Sequence, residues 1–212
     1  MALALFDLRI ITMSDFIYLA SQSPRRAQLL EQLGLAFQRL LPDPAEDAEA
    51  LEVVNGGEAP ATYVKRVTRL KLHAAVARIK RQGLPTAPVL CSDTTVALGR
   101  SILGKPENDA DAIRMLTMLS GTTHRVLTAV AVQHGKKTFE ALNISNVTFS
   151  AMTWPQIKAY VASGEPMGKA GAYAVQGRAA VHITRIHGSY SGIMGLPLHE
   201  TSLLLRAVGV KI

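Results

Sequence analysis

Ile17-Tyr-Leu-Ala-Ser21-Gln-Ser-Pro24-Arg25-Arg26-Ala-Gln-Leu-Leu30 decides how the fold begins. Ile17 to Ala20 is an apolar run of strand length, whereas Ala27, Leu30 and Leu33 recur at helical spacing until Gly34 supplies a stop signal. A strand therefore runs directly into a helix. Ser23 is a natural N-cap and Pro24 suits the first helical position, where its missing N–H costs nothing. The unpaired N–H groups of that first turn and the positive end of the helix dipole favour an anion. Arg25 and Arg26 lie in the same turn, and guanidinium groups bind phosphate oxygens in pairs. Taken alone, the segment reads equally as an ordinary capped helix with two solvated arginines, so the rest of the chain has to decide.

Downstream, Ala36 to Leu41 reads as a strand and Pro42 to Pro60 as a long loop. Loops of that length are usually functional or disordered. Its acids are Asp43, Glu46, Asp47, Glu49, Glu52 and Glu58, and they precede a basic helix from about Ala61 to Gln82 with Tyr63, Val67, Leu70 and Ala74 on one stripe. Pro88 to Leu98 reads as a buried strand interrupted by polar Ser92-Asp-Thr-Thr95. Asn108 caps a helix to about Ser120, with Ile113, Leu116 and Leu119 inward. Strands follow near His124 to Gln133 and Thr138 to Ser150. Thr153 and Gln156 have capping-box spacing for a helix to Ser163. Gly164 to Gly177 is a glycine-rich loop, Ala179 to Ile186 a strand, and Leu198 to Ala207 a last helix. Alternating strands and helices with antiparallel hairpins predict a mixed α/β domain.

Composition narrows the function. The chain has 212 residues, 48% of them hydrophobic, enough for one compact domain with a sizeable core. Its one cysteine, Cys91, excludes an internal disulfide and a cysteine-rich zinc site, which points to a reducing compartment. Cys91 lies in an apolar run and reads as a buried thiol. No apolar stretch reaches about 18 residues, so no membrane span is expected. The first dozen residues lack the flanks of a signal peptide. Because Met13 precedes the first strand, residues 1–13 read as an optional extension to a single domain over 14–212.

A net charge of +7 favours polyanionic partners, nucleotides among them. With only 5% aromatic residues and none interleaved with the basic ones, there is no strong case for a nucleic-acid polymer.

Asp93 inside an apolar strand needs a compensating cation or donors, and reads as a general base, a metal ligand, or a structural carboxylate satisfied locally. Gly104-Lys-Pro106 sets Lys105 in a constrained turn that can face the same cleft. Lys169-Ala-Gly-Ala-Tyr-Ala-Val-Gln-Gly177 combines a lysine, an amide and small residues that let a backbone approach a ligand. Gln176 can donate and accept at once, which suits the edge of a base. His124, His182 and His199 lack zinc spacing and read as structural. There is no nucleophile elbow, Walker sequence or dinucleotide fingerprint, so hydrolysis by water without a covalent intermediate is the simplest chemistry.

Leu19-Ala-Ser-Gln-Ser-Pro-Arg-Arg26, Ser92-Asp-Thr94, Gly104-Lys-Pro106, Leu119-Ser-Gly121, Lys169 to Gly177 and Gly195-Leu-Pro-Leu198 occur in the order seen in Maf proteins, nucleoside triphosphate pyrophosphatases also called septum-formation inhibitors. The chain resembles that family from about Ile17 to Ala207. The resemblance implies a mixed α/β fold like that of inosine triphosphate pyrophosphatases, with a cleft between two lobes, a cytoplasmic location and a homodimer. It implies cleavage between the α and β phosphates with Mg²⁺ or Mn²⁺. Asp93 matches the proton acceptor; Arg25, Thr94 and Gln176 match positions that distinguish nucleotides. Ser21, Arg26, Lys71, Lys105 and Lys169 match polar positions of the substrate site. Glu46, with Asp43 and Asp47 nearby, matches the glutamate associated with the cation, which Asp93 would also hold.

Leu70-Lys-Leu72 departs from the family's usual glutamate-lysine-alanine. The arginine pair directly after Pro24, without an intervening tryptophan, resembles the branch acting on dTTP and UTP. Hydrolysis of 7-methyl-GTP or other modified nucleotides, and a non-catalytic nucleotide-binding regulator of septum formation, are the alternatives.

Overall fold

The computed structural model describes residues 16–43, 46–47 and 50–212. The expected extension at 1–13 lies outside the described residues. Seven strands form one mixed sheet: β1 (Ile17–Leu19), β2 (Phe37–Arg39), β3 (Val89–Leu98), β4 (Ser101–Leu103), β5 (Thr123–His134), β6 (Lys137–Phe149) and β7 (Ile183–His187). The main order is β2-β1-β3-β5-β6-β7, with β4 added to β3. β1 pairs in parallel with β2 and β3, and the other pairings are antiparallel. Helices flank it: α1 (Pro24–Glu31), α2 (Pro60–Arg81), α3 (Asp109–Leu119), α4 (Trp154–Ala162), α5 (Tyr190–Met194) and α6 (Leu198–Ala207).

The register of β3 positions the site. β5 runs along one edge of β3, pairing from Val89 to Ala97. On the other edge β1 covers only Val89 and Leu90, and β4 covers Val96 to Leu98. The segment between, Cys91 to Thr95, is left with an open edge. Side chains alternate across a strand, so the two faces divide these residues. Cys91 packs with Leu72 and Ala75 of α2, and Leu127 and Ala129 of β5 pack with Tyr63, Val64 and Val67 of the same helix. Opposite, Leu90 and Val130 meet Leu29 and Leu30 of α1 and Leu205 of α6. A third cluster gathers Leu116 and Leu119 of α3, Ile157 and Val161 of α4, and Phe149.

Several expected boundaries needed correction. The buried face of α2 passes through Val64, Thr68, Leu72 and Ala75, while Leu70 is exposed. Tyr63 and Val67 of the expected stripe are buried, whereas further along the helix Leu72 and Ala75 take the inward positions and Leu70 is exposed with Ala74 half-buried. Ala179 to Ile186 is not one strand: Arg178–His182 form a 3-10 helix before β7. The Arg178 N–H donates to Glu165 Oε2 and the Ala180 N–H to the Gly177 carbonyl, so the backbone groups a strand would need are already used. β4 and α5 were not anticipated. Both are at most five residues long, too short for a periodic signal.

Candidate functional site

The open edge of β3, the start of α1, the inner side of α2 and the loop around 168–176 enclose a cavity of about 650 Å³. Ser21, Arg25, Arg26, Glu46, Lys71, Asp93, Thr94, Lys105, Lys169 and Gln176 all line it. Sequence expectation and geometry therefore converge on one cleft, although the residues play different parts within it.

At the β1–α1 turn, the Ser23 side chain accepts from the Arg26 N–H, and Ser21 Oγ accepts from the Ser23 N–H at 3.1 Å. The Arg26 guanidinium is bracketed. Its Nε donates to the Gly195 carbonyl at 2.8 Å, Nη1 to Ser21 Oγ at 3.4 Å and Nη2 to Thr94 Oγ1 at 3.3 Å. Thr94 Oγ1 also lies 3.0 Å from Thr128 Oγ1, which donates to the Gly192 carbonyl at 2.7 Å. Ser92 Oγ donates to the Gly195 carbonyl as well. Thr94, expected to distinguish nucleotides, is thus placed to orient Arg26. Arg25 has no carboxylate partner among the described residues, and burial followed by the neighbouring Arg26 charge lowers its pKa.

Across β3, Asp93 is 6% exposed and meets Lys71 Nζ at 2.6 Å. The same ammonium reaches Glu52 Oε1 at 2.7 Å, and Lys105 Nζ reaches Glu52 Oε2 at 2.9 Å. Burial pushes the Asp93 carboxyl upward, and the Glu52 charge adds to that, against the pull of Lys71 and Arg26. For Lys71, burial works downward but the two carboxylates outweigh it, so the ammonium stays charged. The combination is a charged lysine beside an aspartate more basic than usual. Perturbed carboxylates in a cleft are candidates for proton transfer.

Glu46 is differently placed. Arg78 and Arg81 both bind its carboxylate, and the Arg78 hydrogen bond, with Arg81 adding to it, lowers its pKa to about 2. The carboxylate sharing Lys71 with Asp93 is Glu52, from the 3-10 helix Ala50–Glu52. Sequence reasoning counted Glu52 among the loop acids without giving it a role; the signal was the alternation of an acidic loop with a basic helix. Gly195 was read as part of a motif without a role, and Thr128 was missed; they act through a backbone carbonyl and through Thr94 beside Arg26.

Lys169 Nζ donates to the Glu165 carbonyl at 2.6 Å, and burial together with Arg25 lowers its pKa. Gln176 is exposed at the cleft. Between them Gly171, at φ +70°, donates its N–H to the Gly104 carbonyl at 3.0 Å, which ties this loop to the turn carrying Lys105. Tyr173 is held from beneath by His124, whose Nε2 lies 2.8 Å from the phenol oxygen. His124 is buried.

A mixed α/β sheet whose open central edge gathers Arg26, Lys71 and Lys105 beside a buried carboxylate forms a cationic cleft, a class of site suited to a small polyanion. The chain belongs to the Maf-like protein family, which matches residues 16–208. A dTTP/UTP pyrophosphatase of Polaromonas sp. is 74% identical over 199 residues, covering 94% of this chain and 98% of its own. The proteins of the same name from Albidiferax ferrireducens and Cupriavidus pinatubonensis are 67% and 62% identical, each over 94% of this chain and 100% of their own. Among solved structures, a nucleoside-triphosphatase (dITP/XTP pyrophosphatase) of Mycobacterium abscessus covers 63% of this chain and 73% of its own at 14% identity, with a TM-score of 0.39.

Proposed function

We propose that the protein hydrolyses dTTP and UTP to the nucleoside monophosphate and pyrophosphate. The observation that carries this reading is the buried Asp93 beside Lys71, in one cleft with Arg26 and Lys105. In this reading the triphosphate lies along the open edge of β3 with its phosphates on Arg26, Lys71 and Lys105. The Lys71 contact is with Asp93 Oδ1, and the second oxygen orients the attacking water and takes its proton. Oxygen from water bonds to phosphorus of the α–β linkage, the bridging P–O bond breaks, and pyrophosphate leaves with its charge held by the cations. Gln176, at the exposed rim with Arg25, reads the base. Its amide matches a carbonyl and an imide N–H together, which favours thymine and uracil over cytosine.

The donor set fits a divalent cation of the Mg²⁺ or Mn²⁺ type. Such an ion keeps several waters and needs one or two carboxylates plus substrate oxygens. Among the described residues no cluster of three or more His, Cys, Asp or Glu could hold a metal. Asp93 would hold the ion together with the phosphates in place of acting as the base; Glu46 would join only after releasing Arg78 and Arg81. The ion would supply neutralisation of phosphate charge. A homodimer and a cytoplasmic location belong to the same reading.

Pyrophosphate release over a panel of canonical and 7-methylated triphosphates, with Mg²⁺ and Mn²⁺, tests the proposal. Preference for dTTP and UTP is expected, and Asp93→Asn should lower kcat by roughly 100-fold or more. A fully active Asn variant removes Asp93 from the chemistry, and no turnover of any triphosphate removes the enzyme reading.

A further inference from the structure

The described residues of the acidic strap, 42–43, 46–47 and 50–58, lie along α2 as a ladder of opposite charges running antiparallel to the helix. Arg81 pairs with Asp43, Arg78 with Glu46, Lys71 with Glu52 and Arg66 with Glu58. Two further bonds fasten its second half: Tyr63 Oη donates to the Glu52 carbonyl and Arg66 Nη2 to the Val53 carbonyl, both at 2.9 Å. Three rungs are private to strap and helix. The Glu52 rung differs, because its carboxylate also reaches a lysine outside α2, Lys105.

Glu52 uses both oxygens. Oε1 meets Lys71 from α2 and Oε2 meets Lys105 from the turn after β4, so one carboxylate bridges ammonium groups from two separate elements. That is how two oxygens of a single phosphate would bind the same pair. The arrangement sets the separation of the lysines in the absence of substrate, and it places an anion where a phosphate must go. The neighbouring backbone bonds to the Glu52 and Val53 carbonyls do not involve the carboxylate, so the side chain can swing away while the strap stays docked.

We propose that Glu52 is a positioning residue that spaces Lys71 and Lys105 for a phosphate and gives up its place to that phosphate when the substrate binds. This rests on the reading of the cleft as a triphosphate site. Glu52 therefore competes with the substrate: its charge must be displaced before both lysines reach phosphate oxygens. Removing the charge while keeping the shape should strengthen phosphate binding.

The test is calorimetric titration of metal-free protein with inorganic pyrophosphate, alongside steady-state kinetics on dTTP. Glu52→Gln should bind pyrophosphate roughly five- to tenfold more tightly and show a KM for dTTP lower by a similar factor. Glu52→Asp, which keeps the charge, should return both values toward the parent. Glu58→Gln, which removes a rung remote from the lysines, should leave both unchanged. Unchanged or weaker pyrophosphate binding in Glu52→Gln overturns the proposal, as does equal tightening in Glu58→Gln, which would trace the effect to a loosened strap. If pyrophosphate binds none of the proteins, the phosphate-site reading falls with it; if the parent binds it and Glu52→Gln binds it no better, only the role of Glu52 falls.

Discussion

Replacing Gly171 by alanine tests whether the loop that carries Gln176 is seated on β3 as described. A Cβ at this position would stand 2.8 to 2.9 Å from Cβ, Cγ1 and Cγ2 of Val96, closer than packed atoms approach, and the backbone sits at φ +70°. The left-handed conformation costs an L-residue roughly 1–2 kcal/mol. Overpacking against a β-branched side chain, fixed in a strand, adds roughly 1–3 kcal/mol. The loss of chain entropy in the unfolded protein returns about 0.4–1 kcal/mol. The net is about 3 kcal/mol, a large share of the roughly 5–15 kcal/mol that holds a domain together. For a chain of this size that lowers Tm by roughly 6–12 °C.

Gly168 supplies the control, because it lies in the same loop at φ +71° with nothing within 4 Å of where an added methyl would stand. Gly168→Ala therefore carries the backbone cost alone. Thermal melts of both variants, with Val96→Ala added to each, separate the terms: Val96→Ala should partly rescue Gly171→Ala and should not rescue Gly168→Ala. Because the Gly171 N–H holds the Gly104 carbonyl, Gly171→Ala should also raise the KM for dTTP. If Gly171→Ala melts no lower than Gly168→Ala, the close packing of the loop on Val96 is wrong.

Two other predictions use buried titratable groups. Burial pushes the His124 imidazole down to about 4, whereas the unfolded chain takes up its proton near 6.5. Its contribution to stability is thus complete above about pH 6.5 and is lost as pH falls toward 4. Urea midpoints at pH 7 and pH 5 should draw together in His124→Phe compared with the parent; parallel behaviour of the two proteins would count against a neutral buried imidazole. The Cys91 thiol is fully buried and burial pushes it up to about 11. A thiol reagent at pH 8 should leave the folded protein unlabelled and react at once in urea, and prompt labelling of the native protein would show that the β3–α2 contact opens.

The legible parts of this chain were those where one residue type has one structural use. Ser23 and Pro24 announced the start of α1, and the last helix was read at its observed bounds, Leu198–Ala207. Asp93 stood out because a carboxylate in an apolar strand demands a partner, although local pattern could not say that the partner was Lys71, 22 residues away along the chain. The strap was harder. Six acids in a loop look alike in sequence, and only the docking of its described residues on α2 sends Glu46 to two arginines and Glu52 to two lysines. The polar run Ser92 to Thr95 suggested an interruption of β3, yet the strand continues unbroken. Its polar side chains answer to partners on the two faces, Gly195 and Arg26 on one and Lys71 on the other, all distant along the chain.

The bracket around Arg26 joins residues that are made at opposite ends of synthesis. Its Nε is held by the carbonyl of Gly195, 169 positions later in the chain, and Ser92 binds the same oxygen. A ribosome-bound chain that has extruded β1, α1 and β3 already possesses the lysine and aspartate half of the cleft, but it lacks the acceptor that aims this guanidinium. The cell therefore obtains a complete anion site only after nearly the whole polypeptide has left the tunnel, and a product shortened before residue 195 would carry most of the binding charges without the carbonyl that holds Arg26 Nε.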